Sequence, residues 1–153
     1  MVETPFGSFS SADEFPGNPM RHSTQETGSK DRQHALPRVL VVDDERRIAD
    51  TLAEILHLAG FHAVATYDGW TALETATWFR PDYLLSDVLM PRMNGVELAI
   101  AIRKMHPAAK VLLFSGQAGI SHILLEGQRQ GFEFDILAKP IHPLKLIERL
   151  KEQ

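Results

Sequence analysis

From residue 38 onward, short apolar runs alternate with stretches in which apolar residues recur every three or four positions. The first run, Val39-Leu40-Val41-Val42, is unbroken and rich in β-branched residues, the pattern of a strand buried on both faces. Over 45–59, Ile48, Leu52, Ile55, Leu56 and Ala59 follow the i, i+4, i+7, i+8, i+11 stripe of an amphipathic helix. Gly60 fits the C′ position that closes it. A second strand is predicted over 61–66. Asp68-Gly69 then turns into a helix carrying Ala72, Leu73 and Ala76, which Pro81 stops.

The alternation continues to the end of the chain. A third strand is predicted over 83–86, and a loop through Pro91 and Asn94-Gly95 leads to a helix over 96–105. On that helix Leu98, Ala99, Ile102 and Met105 are expected to face inward, and Pro107 ends it. A strand over 110–114, a helix over 120–130 closed by Gly131, a strand over 134–138 and a helix over 143–151 complete the series. Leu144, Ile147 and Leu150 are the expected packing residues of the last helix. Trp70, Trp78 and Met93 read as packing residues rather than site residues. Five strand–helix units of this kind predict an α/β fold with a parallel sheet covered on both faces.

Residues 1–37 have a different character. They hold four of the nine prolines, many small polar residues and one leucine, Leu36. A segment so poor in apolar residues cannot offset the entropy of ordering, so 1–37 is expected to be a disordered leader and 38–153 the folded domain. Phe6, Phe9 and Phe15 in the leader read as isolated aromatics.

Composition narrows the function. The chain has 153 residues, 44% of them hydrophobic and 24% charged, with a net charge of −4. Nothing in that balance points to nucleic acid or a membrane surface. The absence of cysteine excludes disulfides, thiolate metal sites and cysteine nucleophiles. No apolar run reaches the roughly 20 residues of a membrane-spanning helix. The expectation is a cytoplasmic protein.

Polar groups recur where the apolar runs stop: Asp43-Asp44, Asp87, Ser115 and Lys139-Pro140. Strand ends of this kind share the carboxyl edge of a parallel sheet, where open α/β sheets bind ligands. Three carboxylates close together repel by a few kcal/mol per pair at an effective dielectric near 20, so they raise a pKa, bind a cation, or both. Mg²⁺ suits them, because it takes one or two carboxylates and keeps water and phosphate oxygens as its other ligands. A carboxylate can itself act as nucleophile and carry an aspartyl-phosphate. Lys139 supplies a compact positive charge, and Ser115 a hydroxyl that can donate to a phosphoryl oxygen.

These residues resemble a known family. Val41-Val42-Asp43-Asp44-Glu45, the stretch from Asp87 through Pro91 to Gly95, Phe114-Ser115-Gly116 and Lys139-Pro140 are similar to the receiver domain of two-component response regulators. The resemblance implies a flavodoxin-like (βα)5 three-layer sandwich with strand order 2-1-3-4-5. It implies that Asp87 accepts a phosphoryl group from a histidine kinase or histidine phosphotransferase. Asp43, Asp44, Asp87 and the backbone carbonyl of Leu89 then hold Mg²⁺, Lys139 contacts the phosphoryl group, and Ser115 moves to bind it. A cis Lys139–Pro140 bond is also implied.

One departure is plain. Many receivers carry an aromatic residue three positions before the strand-five lysine, and here that position is Ile136. Phe134 is the nearest aromatic, out of phase by two residues. The departure touches the relay from hydroxyl to aromatic and leaves the phosphorylation chemistry untouched. Ile120, Ile123, Leu124 and Leu125 also cover more of the fourth helix than a half-buried helix needs, which reads either as a contact patch or as overpacking with one exposed leucine.

The chain stops at Gln153, two residues past the last predicted helix, so no output domain is expected. The leading reading is a stand-alone receiver, not an enzyme, that signals by protein contact through the helix 4–strand 5–helix 5 face, with homodimerisation possible. Passing the phosphoryl group onward to another histidine is a related version. A degenerate receiver acting as a phosphorylation-independent binding module and a Mg²⁺-dependent phosphohydrolase are the alternatives. Leu89, two positions after Asp87, cannot serve the latter as a general acid or base.

Overall fold

A computed structural model describes residues 35–116 and 118–153 of the chain. Five parallel strands, β1 (Arg38–Val42), β2 (His62–Thr66), β3 (Tyr83–Asp87), β4 (Lys110–Ser115) and β5 (Asp135–Ala138), form one sheet of order β2-β1-β3-β4-β5. They alternate with α1 (Arg46–Leu58), α2 (Gly69–Phe79), α3 (Gly95–Met105), α4 (Ser121–Arg129) and α5 (Pro143–Glu152). The α/β class, the flavodoxin-like order and the three layers all agree with the sequence reading. The leader expected over 1–37 lies outside the described residues except for 35–37. There, the Pro37 carbonyl accepts a hydrogen bond from the His62 amide at 2.8 Å, which ties the chain to the sheet just before β1.

Strand alternation divides the core in two. Leu40, Val42, Leu84, Val111 and Leu113 point to the side covered by α2, α3 and α4. Val39, Val41, Leu85, Leu112, Phe114 and Leu137 point to the side covered by α1 and α5. In register, Val41 lies between Ala65 and Leu85, and Leu85 pairs with Leu112. The polar ends of β1, β3 and β4 therefore arrive together at one edge.

Four side chains point elsewhere than their sequence pattern predicted. Leu144 is 66% exposed, and α5 packs instead through Leu146 and Leu150, a fully buried i, i+4 pair. Leu144 is two residues from Leu146, on the opposite side of a helix that turns about 100° per residue. Met105, the last residue of α3, is also exposed. Trp70 and Trp78 are 62% and 68% exposed rather than packed. The buried face of α2 is made of small residues and one ring (Ala72, Ala76, Phe79), and both tryptophans lie opposite it. Met93 is buried, as expected.

Helix ends follow their sequence signals. Gly60 and Gly131 take φ of 94° and 88° just after α1 and α4, where a side chain would be strained. Asn94 caps α3: its side chain accepts the Glu97 amide at 2.8 Å, and Glu97 accepts the Asn94 amide at 3.3 Å. By contrast, the N-caps of α1 and α4, Glu45 and Ile120, make no side-chain cap, and α4 buries only Gly127.

Candidate functional site

Each site residue is delivered by a strand whose neighbours are buried. At the end of β1 the Asp43 amide donates to the Thr66 carbonyl at 3.2 Å, while its carboxylate accepts the Glu45 amide at 2.8 Å. Asp43 is fully buried and the adjacent Asp44 is exposed, since successive side chains leave a strand on opposite sides. Asp87, the last residue of β3, is buried. Beyond it the chain reverses through Arg92 (φ 68°), and the Gly95 amide returns to the Val88 carbonyl at 2.8 Å. A Cβ on Gly95 would sit 2.1 Å from the Asp87 carbonyl oxygen, so only glycine lets α3 start this close to the acidic strand end.

Ser115 ends β4 in a buried position, and its carbonyl accepts the Lys139 amide at 3.0 Å. The Lys139–Pro140 bond is cis, as the resemblance implied. From there the Lys139 ammonium reaches back across the sheet edge. Its Nζ lies 3.1 Å from Asp43 Oδ2 and 3.3 Å from Asp87 Oδ2, with the Phe114 ring centroid 5.0 Å away. Asp43, Asp44 and Asp87 each present a carboxylate oxygen within 4.8 Å of the others. A cavity of about 310 Å³ opens here, lined by Asp44, Glu45, Asp87, Leu89, Ser115, Gly116 and Lys139.

The charges explain one another. Burial pushes the Asp43 and Asp87 carboxyls above their ordinary value, and Lys139 only partly offsets it. On the lysine side the balance is reversed. Burial disfavours its charge, yet two carboxylates together hold its pKa above the ordinary lysine value. A single ammonium shared between two buried carboxylates leaves negative charge uncompensated, and Asp44 adds a third carboxylate at the rim. A hard divalent cation fits such an all-oxygen set.

Every residue expected at the site is brought to this one edge. Two further contributors carried no assigned role in the sequence. Glu45 lines the cavity, and its position directly after the acid pair was the available signal. Phe114 lies under the ammonium, a contact that strand parity alone does not reveal. Ile136 is half-buried against the core on the α4 side, and Phe134 stacks on Phe132 at 6.0 Å on the same side.

A doubly wound sheet with an acid cluster facing a lysine at its carboxyl edge is a setting suited to a divalent cation and a phosphoryl group. The comparisons with known proteins agree. The family model of the response regulator receiver domain matches residues 39–151. The transcriptional regulatory protein PrrA of Mycobacterium tuberculosis is 36% identical over 115 residues, covering 75% of this chain and 48% of that protein. CpxR of Escherichia coli, also a transcriptional regulatory protein, is 32% identical over 114 residues, or 74% and 47%. The chemotaxis protein CheY4 of Vibrio cholerae superposes with a TM-score of 0.69 at 28% identity, covering 77% of this chain and 98% of that one. The chain belongs to the response regulator receiver domain family, whose members act in two-component phosphorelay signalling and in general bind Mg²⁺. It spans about half the length of the curated relatives it matches. Among the described residues no helix is long and apolar enough to cross a membrane.

Proposed function

We propose that Asp87 accepts a phosphoryl group from the phosphohistidine of a histidine kinase or phosphotransferase. The observation that carries this reading is the Lys139 ammonium, held between Asp43 and Asp87 beside a cavity that Ser115 also lines. In the transfer an Asp87 carboxylate oxygen forms a bond to phosphorus as the nitrogen–phosphorus bond breaks. The bonding pair leaves with the imidazole, which takes a proton from solvent. No proton has to leave the nucleophile, so the protein's task is to manage charge. Lys139 moves from carboxylate to phosphoryl oxygen, and Ser115 donates its hydroxyl to the same group.

Asp43, Asp44, Asp87 and the Leu89 carbonyl would hold Mg²⁺, which supplies charge neutralisation at the phosphoryl oxygens. Leu89 lines the cavity beside Asp87 and offers no ionisable group, so a turning-over phosphohydrolase finds no general acid or base at that position. We assign the chain a signalling role in the cytoplasm, passed on by protein contact through α4, β5 and α5.

The test is phosphorylation of the purified chain by a small acyl phosphate with and without Mg²⁺, read by intact mass. One Mg²⁺-dependent phosphoryl group that disappears in Asp87→Ala is the expected result. An unmodified native chain, or a phosphoryl group that persists in the variant, overturns the assignment.

A further inference from the structure

The Lys139 ammonium has a third neighbour besides its two carboxylates. Its Nζ stands over the Phe114 ring, 5.0 Å from the centroid, inside the roughly 6 Å range of a cation–π contact. An ammonium carries three donors, and Asp43 and Asp87 take two of them. The ring face meets the remaining side of the charge without offering an oxygen that would compete for a donor.

The ring is firmly held. Phe114 is fully buried, and its partners in register are Asp87 on β3 and Leu137 on β5. Its carbonyl accepts the Val88 amide at 3.0 Å, so the backbone just past Asp87 is tied to the same residue. The lysine stem is guided as well. A Cβ on Gly116 would stand 3.3 Å from Lys139 Cβ and 3.4 Å from its Cδ, so the stem runs past the bare glycine on its way to the ring. A four-methylene stem has many rotamers, including those that carry its charge out into water. Residues 114 and 116, on either side of Ser115, meet the head and the stem of the same side chain.

We infer that Phe114 is a positioning residue for phosphoryl transfer: its ring seats the Lys139 ammonium and lets it pivot from the Asp87 carboxylate to the incoming phosphoryl oxygen. An oxygen acceptor in that place would hold the ammonium along one line and compete with the phosphoryl group for it. Attraction to a ring is spread over its face, so the ammonium can turn without leaving the contact. The kinetic consequence rests on the phosphoryl-acceptor reading, whereas the seat itself is a property of the unmodified chain.

The test compares the native full chain with two altered ones. Phe114→Leu keeps an apolar side chain and removes the ring. A fluorinated phenylalanine placed at residue 114 keeps the ring and its packing while draining negative charge from its face. The first readout is nuclear magnetic resonance of the Lys139 side chain and needs no phosphodonor. In the native chain the ring current should shift its Cε protons upfield, and carbon relaxation should show a restrained stem. Phe114→Leu should lose the shift and gain mobility, and the fluorinated ring should gain mobility alone. The second readout is the rate of Mg²⁺-dependent phosphorylation by a small acyl phosphate. It should fall about three- to tenfold in Phe114→Leu and by a smaller factor with the fluorinated ring. Loss of packing alone would leave the fluorinated chain at the native rate. A Lys139 stem as restrained in both altered chains as in the native one overturns the seat, and a rate unchanged in both overturns its part in transfer. A native chain that takes up no phosphoryl group overturns the acceptor reading instead, and the first readout still decides the seat.

Discussion

The half of the molecule around β1, β3 and β4 and the edge formed by α4 and β5 are built to different standards. In β1, β3 and β4 nearly every residue is buried, and the strands end in the acidic cluster. In β5, of four residues, only Leu137 is buried, and α4 covers the sheet with the half-buried Ile120, Ile123 and Leu124 while leaving Leu125 half exposed. Charge must be placed to within a fraction of an ångström for phosphoryl transfer, which calls for a close-packed support. A surface that has to shift between two arrangements is drawn from the less stable part of a fold.

Core substitutions test this contrast most severely. Leu84 and Leu113 are completely buried on the α2–α4 side of the sheet. Changing either to alanine should cost about 2–5 kcal/mol in chemical denaturation, from lost transfer energy and the cavity left behind. Ile136→Ala in β5 should cost less, about 1–2 kcal/mol, because its side chain is only half-buried. Equal losses would show that the β5 edge is as firmly packed as the centre.

Next in size is the dependence on pH and metal, which tests whether the rigid half stores electrostatic repulsion. Asp43 and Asp87 have pKa values raised by burial, so the folded state binds their protons more tightly than the unfolded chain does. Stability should therefore fall as the pH rises from the ordinary carboxylate range through the raised values. Lys139 has the same sign at higher pH. Its pairing contributes at neutral pH and is lost only as the pH rises through its raised pKa, above the ordinary 10.5. In metal-free buffer, thermal unfolding between about pH 4 and pH 7 should show the acidic slope, which Asp87→Asn reduces. Mg²⁺ at neutral pH should raise the melting temperature of the native chain and do so less in the variant. A flat profile, or a Mg²⁺ effect unchanged by the substitution, would mean that the cluster carries no net repulsion.

The two regions also differed in how far they could be read from sequence. The strands and their polar ends were legible because an unbroken apolar run that stops at Asp87 or Ser115 is what a strand buried on both faces needs when it delivers a polar group to the sheet edge. The depth of each acid was less so. Asp43 and Asp44 are neighbours in sequence, yet one is buried and the other open, a difference set by which way the end of β1 turns. Helix facing was the weakest point. In α5 the apolar positions 144, 146, 147 and 150 admit more than one stripe, and tertiary contact chose Leu146 and Leu150. On α2 the tryptophans were read as packing residues, while Ala72, Ala76 and Phe79 made the buried face. Hydrophobicity says that a residue gains from burial, but periodicity must say on which side, and short helices carry little periodicity.

The smallest expected effect is the most informative about the open edge. Leu125 on α4 and Leu144 on α5 are 50% and 66% exposed. If both meet only water in the free chain, alanine at either position removes little buried area, and stability should change by less than about 0.5 kcal/mol. A loss above about 1.5 kcal/mol at either would instead match the removal of a buried side chain, so the residue would be covered in solution. Covering by a second copy would make that loss depend on protein concentration, whereas covering within one chain would not. Repeating denaturation of Leu125→Ala and Leu144→Ala at two concentrations about a hundredfold apart separates the cases, because self-association scales with concentration by mass action. A small, concentration-independent change leaves these leucines available to a partner. It also excludes both side chains from any self-association the chain shows, because a residue buried in such a contact would carry a concentration-dependent loss.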